Sequence, residues 1–213
     1  MTSFEGVYGP YTITAEDERE VFGYRLALCI AAIAQAGLLL QWRQWGGAWL
    51  WPWLLPLLLG VGLALRWIHI YLRPLHQALQ LLWLLGSVGF VALAISAGPA
   101  RMADAVASQP AWLWAIGPFF AALAGIGFKE FFCFRRPEAI GVTLLLPVAL
   151  LGALSGLLPA AASGSLMGVE AALLLVLTLR KFPMPAAADV GDKSVFAYLE
   201  EQRRVRSKSP DLT

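Results

Sequence analysis

The sequence predicts an all-α polytopic membrane protein, with six transmembrane helices in a bundle and both termini cytoplasmic. Three observations carry this. Of 213 residues, 59% are hydrophobic and 14% are charged, with a mean hydropathy of +0.66, whereas an average soluble domain is about a quarter charged. Six apolar runs approach the roughly 20 residues that a helix needs to cross a hydrocarbon core about 30 Å thick. The basic residues are segregated between alternate connections.

The runs are roughly 24–42, 48–66, 77–97, 111–128, 139–158 and 164–180. Each lacks Lys, Arg and Asp through its middle. They are continuous and rich in Leu and Ala, where a β-barrel would alternate along short strands. An open sheet leaves backbone groups unpaired in lipid. On this reading residues 1–23 are a cytoplasmic segment that includes the start of the first helix. Residues 24–180 form the six-helix domain, and 181–213 a cytoplasmic basic tail.

The first helix is predicted to start near Ala15. Thr14 caps it, with Asp17 three residues on, and Glu16, Asp17, Glu18 and Glu20 suit the positive end of the helix dipole. The N-terminal segment carries Arg19 and Arg25, and the second–third connection carries Arg66 and Arg73. Lys129, Arg135 and Arg136 lie between the fourth and fifth, and Arg180, Lys181, Lys193, Arg203, Arg204, Arg206 and Lys208 follow the sixth. Only Arg43 and Arg101 fall on the other side, so the positive-inside rule places both termini in the cytoplasm. Trp42, Trp45, Trp49, Trp51, Trp53, Trp112 and Trp114 cluster near the outer ends, as an interfacial belt does.

"WIHIYLRPL" before the third span and "KEFFCFRRPE" before the fifth form a weak repeat, each with Arg-Pro at a helix start, where proline fits. "GALSG", Gly152 to Gly156, matches a GxxxG packing motif. Pro183 and Pro185 end the sixth helix, and "DKSVFAYLEEQRRVR" can form a short surface helix.

The composition excludes several classes. A net charge of +2 does not suggest nucleic acid. The acidic first twenty residues are unlike a secretory n-region. Cys29 and Cys133 give neither a disulfide framework nor zinc spacing. No phosphate loop, nucleophile elbow or HExxH is present, so no catalytic residue, metal or cofactor is assigned. A membrane enzyme would need His69, His76, Cys133 and Glu130 to converge.

Two candidate sites stand out. Glu170 is the only acid inside a predicted span. Ten residues from Arg180 put it about 15 Å deep, near the midplane. An ionisable group there is a functional candidate by default, and Gln35 is predicted to share its depth and hydrogen-bond it. The second is a cytoplasmic docking surface of Arg66, His69, Tyr71, Arg73, Lys129, Glu130, Cys133, Arg135 and Arg136. Orientation alone needs only the bases there, so Glu130 and Glu138 predict local ion pairs on an ordered, exposed surface.

"YGPYTITAEDEREVFGYR", "HIYLRPL", "GIGFKEFFCFRRPEA" and "LRKFPMPAAADVGDKSVFAYLE" resemble segments of an uncharacterised integral-membrane family of cyanobacteria and plastid-bearing lineages, domain of unknown function 2301. The resemblance implies a thylakoid or plasma membrane of an oxygenic phototroph, with loops and tails on the cytoplasmic or stromal side. The expected function is a non-enzymatic docking, assembly or accessory factor, with membrane lipids and a membrane-protein partner. The alternative is a small transporter or ion-coupled carrier using Glu170.

Overall fold

Local chemistry sets the start of helix α1, Ala15–Trp45. The Thr14 hydroxyl accepts from the Asp17 N–H at 3.2 Å, and the Asp17 carboxylate accepts from the Thr14 N–H at 2.7 Å. This reciprocal capping box satisfies donors that a helix start otherwise leaves open. The computed structural model describes residues 2–208; Met1 and residues 209–213, the ends of the two terminal segments, lie outside the described residues.

After α1 come α2 (Trp51–Trp67), α3 (Arg73–Ala97), α4 (Met102–Ser108), α5 (Trp112–Phe134), α6 (Pro137–Leu154), α7 (Ala160–Leu179), α8 (Ala186–Val190) and α9 (Lys193–Lys208). Among the described residues, five helices are long and apolar enough to cross a membrane: α1, α3, α5, α6 and α7. Helix α2 is apolar but has 17 residues, at the lower end of spanning lengths.

The helices pair as hairpins, α1 with α2, α3 with α5, and α6 with α7. Helix α5 also packs on α6, α7 returns to α1, and α2 touches α3, so the three hairpins close into a ring. Phe22, Leu26, Ile30 and Ile33 on α1 and Leu81, Leu84, Leu85 and Val88 on α3 point outward and are exposed. Such continuous apolar surface calls for lipid cover. Inside, α3 and α5 meet almost backbone to backbone. A β-carbon on Gly86 would lie 2.1 Å from the Phe119 amide nitrogen, and one on Gly89 would lie 2.1 Å from the Ala115 carbonyl oxygen. Small residues permit this approach.

The fold is all-helical as expected, apart from two short strands that precede the helices. Strand β1 (Thr2–Gly6) pairs antiparallel with β2 (Gly9–Ile13), Gly6 opposite Gly9. A lone two-stranded hairpin is marginal in water, and its short strands carry little signal. It is held by the tail: Val7 N–H donates to Asp192 at 2.7 Å, Tyr8 N–H donates to Ser194 Oγ at 3.0 Å, and the Tyr8 and Tyr198 rings stack at 4.0 Å. Ile13, Val21 and Val190 form a small core beneath it. Lys193 reaches the Asp17 carboxylate at 2.8 Å. Hairpin, α8 and α9 therefore form one cap over one end of the bundle; the α1–α2, α3–α5 and α6–α7 connections lie at the opposite end.

Two boundaries differ from the sequence reading. The stretch 129–138 is not a loop, because α5 continues to Phe134. No helix breaker occurs before Pro137, and the charges of Lys129 and Glu130 are neutralised within the fold. Only Arg135, left-handed at φ 51, and Arg136, extended, link α5 to α6; the residue before proline disfavours helix. Helix α6 ends at Leu154, and Gly156 has φ 71. "GALSG" therefore spans a helix end, not a helix–helix contact.

Candidate functional site

The answer to the concentration of charge near residue 130 lies inside the bundle. Glu130 is fully buried and Lys129 nearly so. Glu130 accepts from the Tyr24 hydroxyl at 2.7 Å, from Lys129 at 3.1 Å and from Lys181 at 2.6 Å. Lys181, itself fully buried, also bonds Asp189. Asp189 in turn accepts from Arg25 Nε at 2.8 Å, and the same guanidinium donates to the Met184 carbonyl at 2.8 Å and the Pro185 carbonyl at 3.2 Å. Three cations (Arg25, Lys129, Lys181) thus face two carboxylates. The rings of Tyr24 and Phe134 lie under both ammonium groups, Phe134 4.5 Å from Lys181, and a ring face attracts a cation.

Each element contributes for a local reason. The α1 helix delivers Tyr24 and Arg25 side by side just past its capped first turns. The C-terminal end of α5 presents Lys129 and Glu130. Beyond α7, Pro183 and Pro185 turn the chain, so that Lys181 and the short α8, carrying Asp189, fold back over the bundle. The arrangement joins the cap to α1, to α5 and to the segment just past α7. Buried charges are tolerated when they are paired and hydrogen-bonded.

This corrects the predicted docking surface. Lys129 and Glu130 belong to it in the sequence reading, yet they are interior, because their partners Lys181 and Tyr24 reach them from other elements. Arg66, Arg73, Cys133 and Arg135 are exposed, and His69, Tyr71 and Arg136 are half-buried. Glu138 pairs with Arg180 at 2.9 Å and Arg136 at 3.6 Å. The Tyr71 hydroxyl accepts from the Asp192 N–H at 2.5 Å, which ties the α2–α3 connection to the cap.

The histidines go separate ways. His69 lies 3.5 Å from Glu20, and His76 meets the Leu65 carbonyl at 2.6 Å. Burial pushes the His69 imidazole below its ordinary range, and Glu20 works against that. Among the described residues, no three His, Cys, Asp or Glu side chains are grouped to hold a metal. In the cap, the Ser194 hydroxyl and the Val7 N–H hold the Asp192 carboxyl below the usual carboxylate range.

Glu170 and Gln35 meet deep between α7 and α1. Both are buried, and the Gln35 amide donates to the Glu170 carboxyl. One oxygen of each, Gln35 Oε1 and Glu170 Oε1, has no hydrogen-bond partner. Replacing Glu170 with Gln supplies an N–H for such an orphan, so the change is expected to cost under about 1 kcal/mol, whereas Glu170→Leu should cost about 1–2 kcal/mol, the scale of interhelical polar contacts. Unfolding in mixed micelles measures both. Equal costs for the two variants would mean that the hydrogen bond contributes nothing.

Sequence reasoning did not single out Tyr24, Arg25, Lys181 or Asp189 as site residues. The two bases counted only toward topology, and Asp189 is one acid in a short polar stretch. The available signal was that all four lie in the segments "EREVFGYR" and "LRKFPMPAAADVGD", on which the family resemblance rests.

A ring of helical hairpins with an apolar outer surface and a folded cap at one end defines a multi-pass integral membrane protein. The chain belongs to the family of uncharacterised integral membrane proteins termed DUF2301, whose model matches residues 63–198. The match takes in Lys129, Glu130, Glu170, Lys181 and Asp189; Tyr24, Arg25 and Gln35 lie before it. No curated protein and no solved structure matches the chain.

Proposed function

We propose that the protein is a non-enzymatic docking or assembly factor whose capped inner end faces the cytoplasm or stroma and receives a membrane-protein partner. The observation that carries this reading is the cap itself. Two terminal segments distant in sequence are joined to the bundle by the buried Arg25–Asp189–Lys181–Glu130 network. Around it Arg66, Arg73 and Arg135 are left exposed. A preorganised basic surface loses little ordering entropy on binding. The positive-inside pattern supports the orientation, and counting α2 as a sixth span keeps both termini on that side. The setting, a thylakoid or plasma membrane of an oxygenic phototroph, rests on the resemblance.

The carrier reading has one observation in its favour, the two orphaned oxygens at the Gln35–Glu170 contact. Against it, both residues are almost entirely buried, at 1% and 0% exposure, and neither lines the apolar grooves beside α1 and α7. A carrier site needs a polar route.

A photoreactive side chain placed at position 73 or 135 in native membranes tests the docking reading. A protein adduct of discrete mass is expected from both positions, lost on Arg66→Glu and missing when the probe sits at position 101. Lipid adducts alone at 73 and 135 would reject the reading.

A further inference from the structure

Beside the α5–α6 connection, positive charge exceeds what the fold neutralises. Glu138, in the first turn of α6, is 5% exposed and offers one oxygen to two guanidinium groups. Arg180, which closes α7, donates from Nη1 to Glu138 Oε1 at 2.9 Å. Arg136, just before α6, brings its own Nη1 to 3.6 Å from the same oxygen. One carboxylate therefore faces two cations. The positive end of α6 and the negative end of α7 meet here and offset one another, so positive charge is left over. Arg135, exposed and next to Arg136, has no ion pair among the described residues and adds to the excess.

The two arginines at Glu138 differ in access. Arg136 is largely covered, and its Nη2 donates to the Met184 sulfur at 3.0 Å. The Arg180 side chain is 56% exposed, and its bond to Glu138 is its one polar side-chain contact among the described residues. Most of the Arg180 N–H donors thus have no protein acceptor, and a guanidinium fork matches the oxygens of a phosphate.

The place also suits a lipid headgroup. Helices α6 and α7 form one hairpin, and both are long and apolar enough to span. Arg136 at the start of one and Arg180 at the end of the other therefore stand at the same boundary of the bilayer. Each heads an exposed apolar stripe. Ile140, Leu144 and Val148 follow Arg136 at intervals of four residues, and Val176 and Val169 precede Arg180 at intervals of four and then seven. Such spacings keep residues on one helix face. An anion held at Arg180 thus has apolar helix surface running away from it into the bilayer.

We infer that Arg180, with Arg136 beside it to neutralise Glu138, binds the phosphate of an anionic phospholipid whose acyl chains lie along the exposed faces of α6 and α7. Basic pockets between helices at a membrane surface recognise headgroups of this kind. The uncompensated charge selects a lipid with net negative charge, because a zwitterionic headgroup brings its own cation. The inference does not rest on the docking reading: it requires no protein partner, and docking does not use Arg180.

The test uses delipidated full-length protein in nonionic micelles, with native mass spectrometry counting bound lipids. The probes are dioleoylphosphatidylglycerol and dioleoylphosphatidylcholine, which share their chains and differ in headgroup charge. The wild-type protein is expected to bind a single phosphatidylglycerol about fivefold more tightly than phosphatidylcholine, the factor that corresponds to about 1 kcal/mol per basic residue at an anionic surface. Arg180→Gln should erase that preference and leave phosphatidylcholine binding unchanged. Arg203→Gln, which removes the same charge from an exposed position on α9, should keep it. Glu138→Gln frees Arg180 from its carboxylate and should tighten phosphatidylglycerol binding by up to about fivefold. Inorganic phosphate at constant ionic strength should not displace the lipid. The inference fails if the wild-type protein shows no preference, if the preference survives Arg180→Gln, if Arg203→Gln weakens it equally, or if phosphate displaces the lipid. Should Arg180→Gln not fold, Glu138→Gln decides: unchanged or weaker phosphatidylglycerol binding overturns the inference.

Discussion

Lys181→Met is expected to lower the unfolding free energy by about 3–5 kcal/mol, the cost of stripping one partner from a buried ionic cluster. Lys181 is fully buried and bridges Glu130 at 2.6 Å and Asp189. Without it Asp189 keeps Arg25, but Glu130 keeps only Lys129 and the Tyr24 hydroxyl, and the methionine fills the space without supplying a donor. Lys129→Met should cost less, because Glu130 then retains Lys181 at the shorter distance. The order of the two variants is therefore as informative as the size. Adding Glu130→Gln to Lys181→Met should recover part of the loss, since a neutral amide no longer demands a cation; such non-additivity marks a direct interaction. Unfolding in mixed micelles reads all three. A Lys181→Met protein within about 1 kcal/mol of wild type would show that the cluster does not brace the cap.

Gly86→Ala should destabilise by about 1–3 kcal/mol, the usual penalty for overpacking a filled interior. The added methyl would sit 2.1 Å from the Phe119 amide nitrogen and 2.5 Å from its β-carbon. The nearest obstacle is helix backbone, which cannot rotate aside as a side chain can, so α3 and α5 must separate. Gly89→Ala meets the Ala115 carbonyl in the same way and should behave alike. The contrast is Gly168→Ala on α7, where the added methyl meets nothing within 4 Å. There alanine's greater helix propensity, about 1 kcal/mol, should leave stability unchanged or raised. Equal effects at positions 86 and 168 would show that close α3–α5 packing is not required. The same unfolding assay makes the comparison.

How much was legible in the sequence varies with the range of the interaction involved. The capping box at Thr14 and Asp17 was readable because it is closed by residues three apart. The apolar runs were readable because lipid imposes one requirement on every residue of a span, and helix α9 was readable from its local pattern. The Gln35–Glu170 contact could be anticipated from depth alone, since rise per residue converts position into distance from the interface. The end of α5 was misplaced for the converse reason. Lys129 and Glu130 look like loop charges until Lys181, 51 positions from Glu130, and Asp189 arrive to neutralise them. The N-terminal hairpin escaped notice because its stability comes from Asp192 and Ser194, about 185 residues away.

By itself, then, the sequence determined the membrane class, the number of apolar segments, the segregation of Lys and Arg, and where most helices begin. These follow from solvent transfer and from short-range backbone hydrogen bonding, which each segment satisfies alone. Only the tertiary structure decided which charges are surface and which are core, and that helix backbones meet closely at Gly86 and Gly89 rather than at Gly152 and Gly156. A carboxylate's environment is set by what reaches it across the fold, within a few ångströms, and nothing in its own neighbourhood along the chain records that.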